Sequence, residues 1–363
     1  MRTNSFFRYW TALLVLGIAL AAVSSAASAP SATVNTSATA AAPTAAAPKP
    51  YTTREWTSLI ARAKREGEVT LYSSHLPANL QRVAAAFKSR YGITVNINRQ
   101  IDSVLASQVT TEFGSGNLKA DIWMQASRPI MLGAIKNKWL VEARGPAFFA
   151  QAYNRANYAK PGKAWAVGAA VLGLGWNKTL TTRNITDYPD LLASGVVRGK
   201  IGVPEPALPA FVDFYLWLQE KYGASYVRRL GATRPKIYAS TLPMQQAMVS
   251  GEIAAAVLTP ATTIDLKEQG APVDFAIPKK SGAWNAPWHG MILSKAPHPA
   301  AAQLLSNFLV TREGQELLNR RYGAVLRNVP GTFFVTLRVQ KLSELTPAKI
   351  AAFQRSWNAM FRG

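Results

Sequence analysis

A chain of 363 residues exceeds what one compact core usually holds, so two lobes or domains are expected. With 48% hydrophobic and 10% aromatic residues it can bury large cores, and having no cysteine it excludes a disulfide scaffold, a cysteine–zinc site, an iron–sulfur cluster, a thiol nucleophile and a lipid-modified N-terminal cysteine. Lys and Arg number 41 against 19 Asp and Glu, a formal charge of +22 that favours anionic partners, whether nucleic acid, lipid headgroups or acidic solutes.

The N-terminus carries Arg2 and Arg8, then an apolar run from Leu13 to Leu20, then small residues through Ala29. A basic start, a short apolar core and a small-residue exit read as a secretory signal peptide over 1–29, with Ala27-Ser28-Ala29 and Ser24-Ser25-Ala26 as alternative cleavage boxes. The apolar core is shorter than the roughly 20 residues of a spanning helix. Residues 30–50 are nearly all Ala, Pro, Thr and Ser and read as a tether.

The folded body alternates helix and strand signals. Thr52-x-x-Glu55 is a capping box, Trp56, Leu59, Ile60 and Ala63 share a helical face, and Gly67 ends the helix. Residues 69–72 form a β-rich run that leads through Ser73-Ser74-His75 into a helix opened by Pro77, burying Leu80, Val83, Ala84 and Phe87 and stopping at Gly92. A strand over 93–97, a helix over 104–113 and a strand over 121–124 follow. The order predicts an α/β layer with a largely parallel sheet.

Further on, 167–177 is one long apolar run, 200–203 a strand, and Phe211, Phe214, Tyr215 and Leu218 a helical stripe. Met244, Ala247 and Met248 mark another helix, and 253–258, 272–278 and 291–293 are strands. Helices are predicted over 299–310 and 312–322, and a last one is capped by Thr346 with Pro347 in its first position. The body reads as two α/β lobes.

Motifs of common enzymes are missing: no Gly-x-Ser-x-Gly elbow, no Walker loop and no His-Glu-x-x-His. Gly173-x-Gly175 lacks the third glycine of a nucleotide loop. The histidines, at 75, 289 and 298, have no metal-ligand spacing, and His298 between two prolines reads as a loop residue. The basic residues form no long run and no nucleic-acid signature accompanies them, so a solvated basic face is expected.

The order of motifs resembles the extracellular solute-binding proteins of ABC importers, in the branch of ferric-iron, thiamine and phosphonate binders. The resemblance rests on Glu66-Gly67-Glu68-Val69-Thr70-Leu71-Tyr72-Ser73-Ser74, on Ala85 to Val95, on Glu112 to Gly116 with Ala120-Asp121-Ile122-Trp123, and on Leu174 to Lys178. It continues through Gly199 to Pro206, Ser250 to Ala254, Gly270 to Val273 and Gly314 to Leu318, spanning roughly 55–325. It implies a type II periplasmic-binding-protein-like fold, two α/β lobes joined by a hinge of crossing strands. The first lobe takes 51–171 and 290–340, the second 172–289 and 341–363. It further implies a periplasmic, non-enzymatic protein without a cofactor, which traps a small solute between the lobes and delivers it to a permease and ATPase at the inner membrane. A monomer that binds no nucleic acid is expected. An exported two-lobed enzyme, a sensor-side binding protein and a ferric-iron carrier are the rival readings. Ferric members carry adjacent tyrosines where this chain reads Thr259-Pro260-Ala261-Thr262, which argues for an organic solute.

Ser73 and Ser74 lie between a strand and a helix start, where free N–H groups and hydroxyls suit a carboxylate, phosphate or phosphonate; His75 is beside them. Ser240 and Thr241 precede a helix in the same way, with Ala207 on the neighbouring loop. Trp123, Trp165, Trp284 and Trp288 take positions similar to the family's cleft walls, and His289 adds a donor. Together these residues predict a pocket for an organic anion.

Overall fold

The computed structural model describes residues 48–159, 163–193, 199–278 and 282–363. The expected signal peptide and most of the linker therefore lie outside the described residues.

Helix α1 (Thr53–Glu66) starts at the predicted capping box, where the Thr52 side chain accepts the Glu55 amide and the Glu55 carboxylate accepts the Thr52 amide at 2.7 Å. Gly67, at φ 74°, ends it in a conformation that costs glycine little. Then come β1 (Glu68–Ser73), α2 (Pro77–Tyr91), β2 (Thr94–Arg99), α3 (Asp102–Ser115), β3 (Ile122–Gln125), α4 (Arg128–Lys136), β4 (Leu140–Val141) and α5 (Arg155–Tyr158). The long apolar run is two strands, β5 (Trp165–Val171) and β6 (Gly173–Asn177), parted at Leu172 because each belongs to a different sheet.

The second sheet's units are β7 (Ile201–Pro204), α6 (Pro209–Tyr222), α7 (Ala224–Ala232), β8 (Lys236–Tyr238), α8 (Thr241–Val249), β9 (Ala255–Leu258), α9 (Pro260–Glu268) and β10 (Val273–Ala276). The chain returns through β11 (Asn285–Leu293), α10 (Pro299–Leu309), α11 (Arg312–Leu318), β12 (Gly323–Ala324) and β13 (Phe333–Phe334), and ends in α12 (Pro347–Phe361). Strand β11 begins at Asn285, earlier than the predicted strand, because its first half pairs with β5. Helix α11 stops at Leu318, short of the predicted Tyr322; Asn319 leaves it with its side chain bonded to the Val167 carbonyl at 2.8 Å.

The first sheet runs β13-β12-β5-β11-β3-β1-β2 with β4 on β11, and the second runs β10-β6-β9-β7-β8. Both are mixed, unlike the largely parallel sheet expected. Strands β1, β2 and β3 are parallel, as are β7, β8 and β9, but β11 opposes β3 and β6 opposes β9. A strand that returns to a sheet must oppose those that led away from it. Each sheet has its own apolar core: Leu71, Leu80, Phe87 and Phe308 are buried in the first, and Leu174, Tyr188, Phe214 and Trp357 in the second.

Two segments cross between the sheets side by side, at Leu172 and at Trp284. The Leu172 amide donates to the Trp284 carbonyl at 3.0 Å, and the Tyr188 hydroxyl donates to the Leu172 carbonyl at 3.0 Å. Beyond β13 a strap over 335–346 leads back to α12, which packs on α6 and α7.

Candidate binding cleft

The crossings determine which sheet edges meet. Strand β5 opposes β11, and β11 opposes β3, so β5 leaves the first sheet at the carboxyl edge of β1, β2 and β3. Gly173 of β6 pairs with Leu258, so the chain enters the second sheet at the carboxyl end of β9 and its parallel neighbours. The two carboxyl edges thus adjoin the same crossing, a place where α/β folds commonly bind ligands.

Six helices start from those edges: α2, α3 and α4 on the first sheet, α6, α8 and α9 on the second. None has its N-cap side chain bonded to its first turn. Of the other helices, five have occupied first turns: Thr52, Asn154, Thr311 and Thr346 cap α1, α5, α11 and α12, and Glu66 accepts the Ala300 and Ala301 amides of α10, while α7 starts uncapped at Gly223. Uncapped first turns leave N–H donors and the positive ends of helix dipoles directed at the cleft.

On the first sheet, Ser74 donates its amide to the Met124 carbonyl at 3.4 Å and stands next to Gln125, which pairs with His289. Ser73 is fully buried, its hydroxyl accepting the His75 amide at 3.1 Å, so it shapes the turn. His75 is buried too, its ring 4.1 Å from Trp288 and 5.2 Å from Tyr322. Burial pushes its pKa down to about 3, so the ring is neutral at physiological pH. Nδ1 accepts the Leu76 amide at 2.8 Å, which places the ring proton on Nε2. Neither that Nε2 nor the adjacent Asn319 Oδ1 has a well-formed hydrogen bond among the described residues. Arg99 closes this side, its Nε 3.4 Å from the His75 carbonyl.

On the second sheet, Ala207 and Ser240 are exposed and Thr241 is half-buried, all at helix starts. One contact ties this sheet's α9 to the first sheet's α11–β12 turn: Arg321 Nε lies 2.6 Å from Asp265, and its Nη2 donates to Glu268. Both carboxylates are more than half exposed, so this is a solvent-screened latch.

The remaining predicted residues lie elsewhere. Trp123 packs with Leu105, Val109 and Met131, and Trp165 against Phe148, both within the first lobe's interior. Trp284, 3% exposed, donates its indole N–H to Asp213 at 2.8 Å. Of the four tryptophans only Trp288 joins a cleft-edge cluster, with His75 and Tyr322. His289 faces a separate cavity. His298 does more than occupy a loop, since its amide and ring Nδ1 both bond buried Asp121, at 2.6 and 2.9 Å. Cavities of about 850 and 1740 Å³ lie along 332–340, and neither is lined by Ser73, Ser74, Ser240 or Thr241. Sequence reasoning missed Tyr322, Asn319, Arg99 and Arg321. Arg99 has a readable signal as the end of a strand parallel to that of Ser73; the others depend on where α11 stops.

Tyr72 donates its hydroxyl to Glu112 at 2.7 Å and is 3% exposed; burial, then Glu112, push its pKa up to about 12. Its phenol is committed to the core. Among the described residues no group of three or more His, Asp or Glu is placed to hold a metal ion.

Over residues 69–324 the chain matches the family of bacterial extracellular solute-binding proteins. No curated protein matches it in sequence. Its fold is similar to that of iron-bound HitA from Pseudomonas aeruginosa, at 19% identity and TM-score 0.59, over 80% of this chain and 99% of that one. AfuA from Actinobacillus pleuropneumoniae, with fructose-6-phosphate bound, gives 20% identity and TM-score 0.58 over 82% and 99%. A putative extracellular solute-binding protein from Bordetella parapertussis gives 13% and 0.63, again over 82% and 99%. The two-lobed type II binding-protein architecture is the one these structures share with this chain.

Proposed function

Because the chain belongs to the bacterial extracellular solute-binding protein family, we propose that it is the capture component of an ABC importer. It takes a small organic anion into the cleft between its sheets and delivers it to a membrane permease driven by an ATPase. It acts in the periplasm as a monomer and does no chemistry on the solute.

The observation that carries the anion reading is the set of six uncapped helix starts at the two facing carboxyl edges. A carboxylate or phosphate placed there receives N–H donors from both sheets without needing a counter-charge. Ser74 from one edge and Thr241 from the other add hydroxyls. The charge of +22 draws anions to the surface. Fructose-6-phosphate, the ligand of AfuA, is of this class. The iron held by HitA asks for a different donor set. Ferric ion favours hard oxygen ligands, but Thr259-Pro260-Ala261-Thr262 offers no phenolate and Tyr72 is spent on Glu112.

A thermal-shift screen of organic acids, phosphonates, sugar phosphates, thiamine derivatives, polyamines and ferric ion tests this. One organic anion is expected to raise the melting temperature, with about 2.7 kcal/mol of added stability at roughly 100 times its dissociation constant and a logarithmic rise beyond it. Ferric ion giving the largest shift, with a visible charge-transfer band, contradicts the reading; so does catalytic consumption of any solute.

A further inference from the structure

The cavity of about 850 Å³ is lined by the first lobe and the strap, with no residue from the second sheet. Its walls include Arg128, Arg327 and Arg338 but no Asp or Glu. Arg338 is already paired with Asp213 and Glu220. Arg128 gives one N–H to the Gln340 carbonyl at 2.7 Å, and Arg327 lies over the Phe334 ring at 4.1 Å. Neither has a carboxylate partner among the described residues; Arg128 is half-buried and Arg327 is exposed at the cavity's rim. His289 adds a solvent-shielded Nδ1 with no hydrogen-bond partner among the described residues, and Val325, Leu337 and Phe334 supply apolar wall.

We infer that this cavity, which adjoins the cleft at the first turn of α4, is a second binding site for an organic anion with an apolar body. Its carboxylate or phosphate is held by Arg128 and Arg327, and its body lies against Phe334 and Val325. A cavity of this size accommodates a drug-sized molecule. Two guanidiniums with no local counter-charge select an anion, and their planar forks match carboxylate and phosphate oxygens. Aromatic and aliphatic walls reward an apolar body over a free inorganic ion. His289 is neutral here, burial and then the charge of Arg128 holding its pKa near 4, so it serves as a hydrogen-bonding group and not as a third cation.

The chain has three histidines, so histidine side-chain NMR separates the two sites: His75 reports the cleft, His289 this cavity and His298 neither. The probe is naphthalene-2-carboxylate, titrated into the full chain, with naphthalene-2-carboxamide as the neutral control. The carboxylate is expected to move the His289 resonances saturably at sub-millimolar to millimolar concentration, leaving His75 and His298 in place. Arg128→Gln and Arg327→Gln are each expected to weaken it about tenfold; unchanged circular dichroism shows that the variants are folded. Naphthalene-2-carboxamide is expected to bind at least tenfold more weakly. The inference is overturned if His289 does not respond, if only His75 responds, if the amide binds as tightly as the carboxylate, or if both folded variants bind like the wild type. Capture in the cleft is read separately, from the His75 resonances and from the affinity of each variant for the solute found in the screen.

Discussion

The Asp213 carboxylate binds three segments together at the junction of the sheets, and its removal can be followed quantitatively. It is 1% exposed and accepts from Trp284 Nε1 at 2.8 Å, Arg338 Nε at 2.8 Å and Arg338 Nη2 at 3.0 Å. Those donors come from the crossing at Trp284 and from the strap, while Asp213 itself is on α6. In Asp213→Ala, the indole N–H loses its acceptor and Arg338 keeps only Glu220, at 3.2 Å with that side chain 41% exposed. Removing one partner of a buried pair costs about 3–5 kcal/mol, and the remaining Glu220 contact offsets up to about 1 kcal/mol. Asp213→Ala is therefore expected to lose about 2–5 kcal/mol, and Asp213→Asn, which keeps an acceptor for the indole, about 1–3 kcal/mol. Urea unfolding followed by tryptophan fluorescence measures both. In a cycle with Arg338→Met, the double variant is expected to lose about 1–3 kcal/mol less than the sum of the single losses. Additivity within about 0.5 kcal/mol, or a near-neutral Asp213→Ala, refutes the coupling.

Other perturbations give separate checks. Ser74→Ala and Thr241→Ala are each expected to weaken the solute found by the thermal-shift screen by about 1–3 kcal/mol in calorimetry, with unfolding midpoints unchanged; unchanged affinity in both misplaces the pocket. Stability is expected to fall with pH below about 6.5, because unfolded histidines take up protons there while His75 and His289 stay neutral when folded, with pKa values near 3 and 4. These two account for about 2.4 kcal/mol between about pH 6 and pH 5, read from urea midpoints, and a flat profile over that window counts against their burial. Arg321→Gln releases Asp265 and Glu268, so small-angle scattering is expected to show a larger radius of gyration, as is the wild type in high salt. An unchanged radius in both means that the contact does not hold the lobes.

Local signals were legible wherever one residue settles a structure. The Thr52–Glu55 capping box, Pro77 at a helix start and the glycines at 67 and 92 all stand where the sequence puts them. The break at Leu172 was not legible, because β5 and β6 are equally apolar and no turn residue separates sheets that are each buried on both faces. The same limit hid the first half of β11, where Pro287 is tolerated only because β11 shifts register beside it, at Trp288 and His289. Tryptophans cannot be sorted by sequence, since Trp123 and Trp288 both occupy strands and differ only in the helix or loop that packs above them. The helix starts after Ser73-Ser74 and at Ser240-Thr241 were legible because each follows a β-rich run. Leu76, the N-cap of α2, has no group that could cap, whereas that the Ser240 hydroxyl leaves its own helix unbonded is visible only in three dimensions.

A crystal structure of the complex with the solute from the screen is the most direct test of the cleft. A single molecule is expected between the two carboxyl edges, its carboxylate or phosphate oxygens hydrogen-bonded to backbone N–H groups at a helix start of each sheet, among them α2 or α4 and α8 or α9. A ferric ion in that place, or a solute whose charged group meets neither set of helix starts, would contradict it.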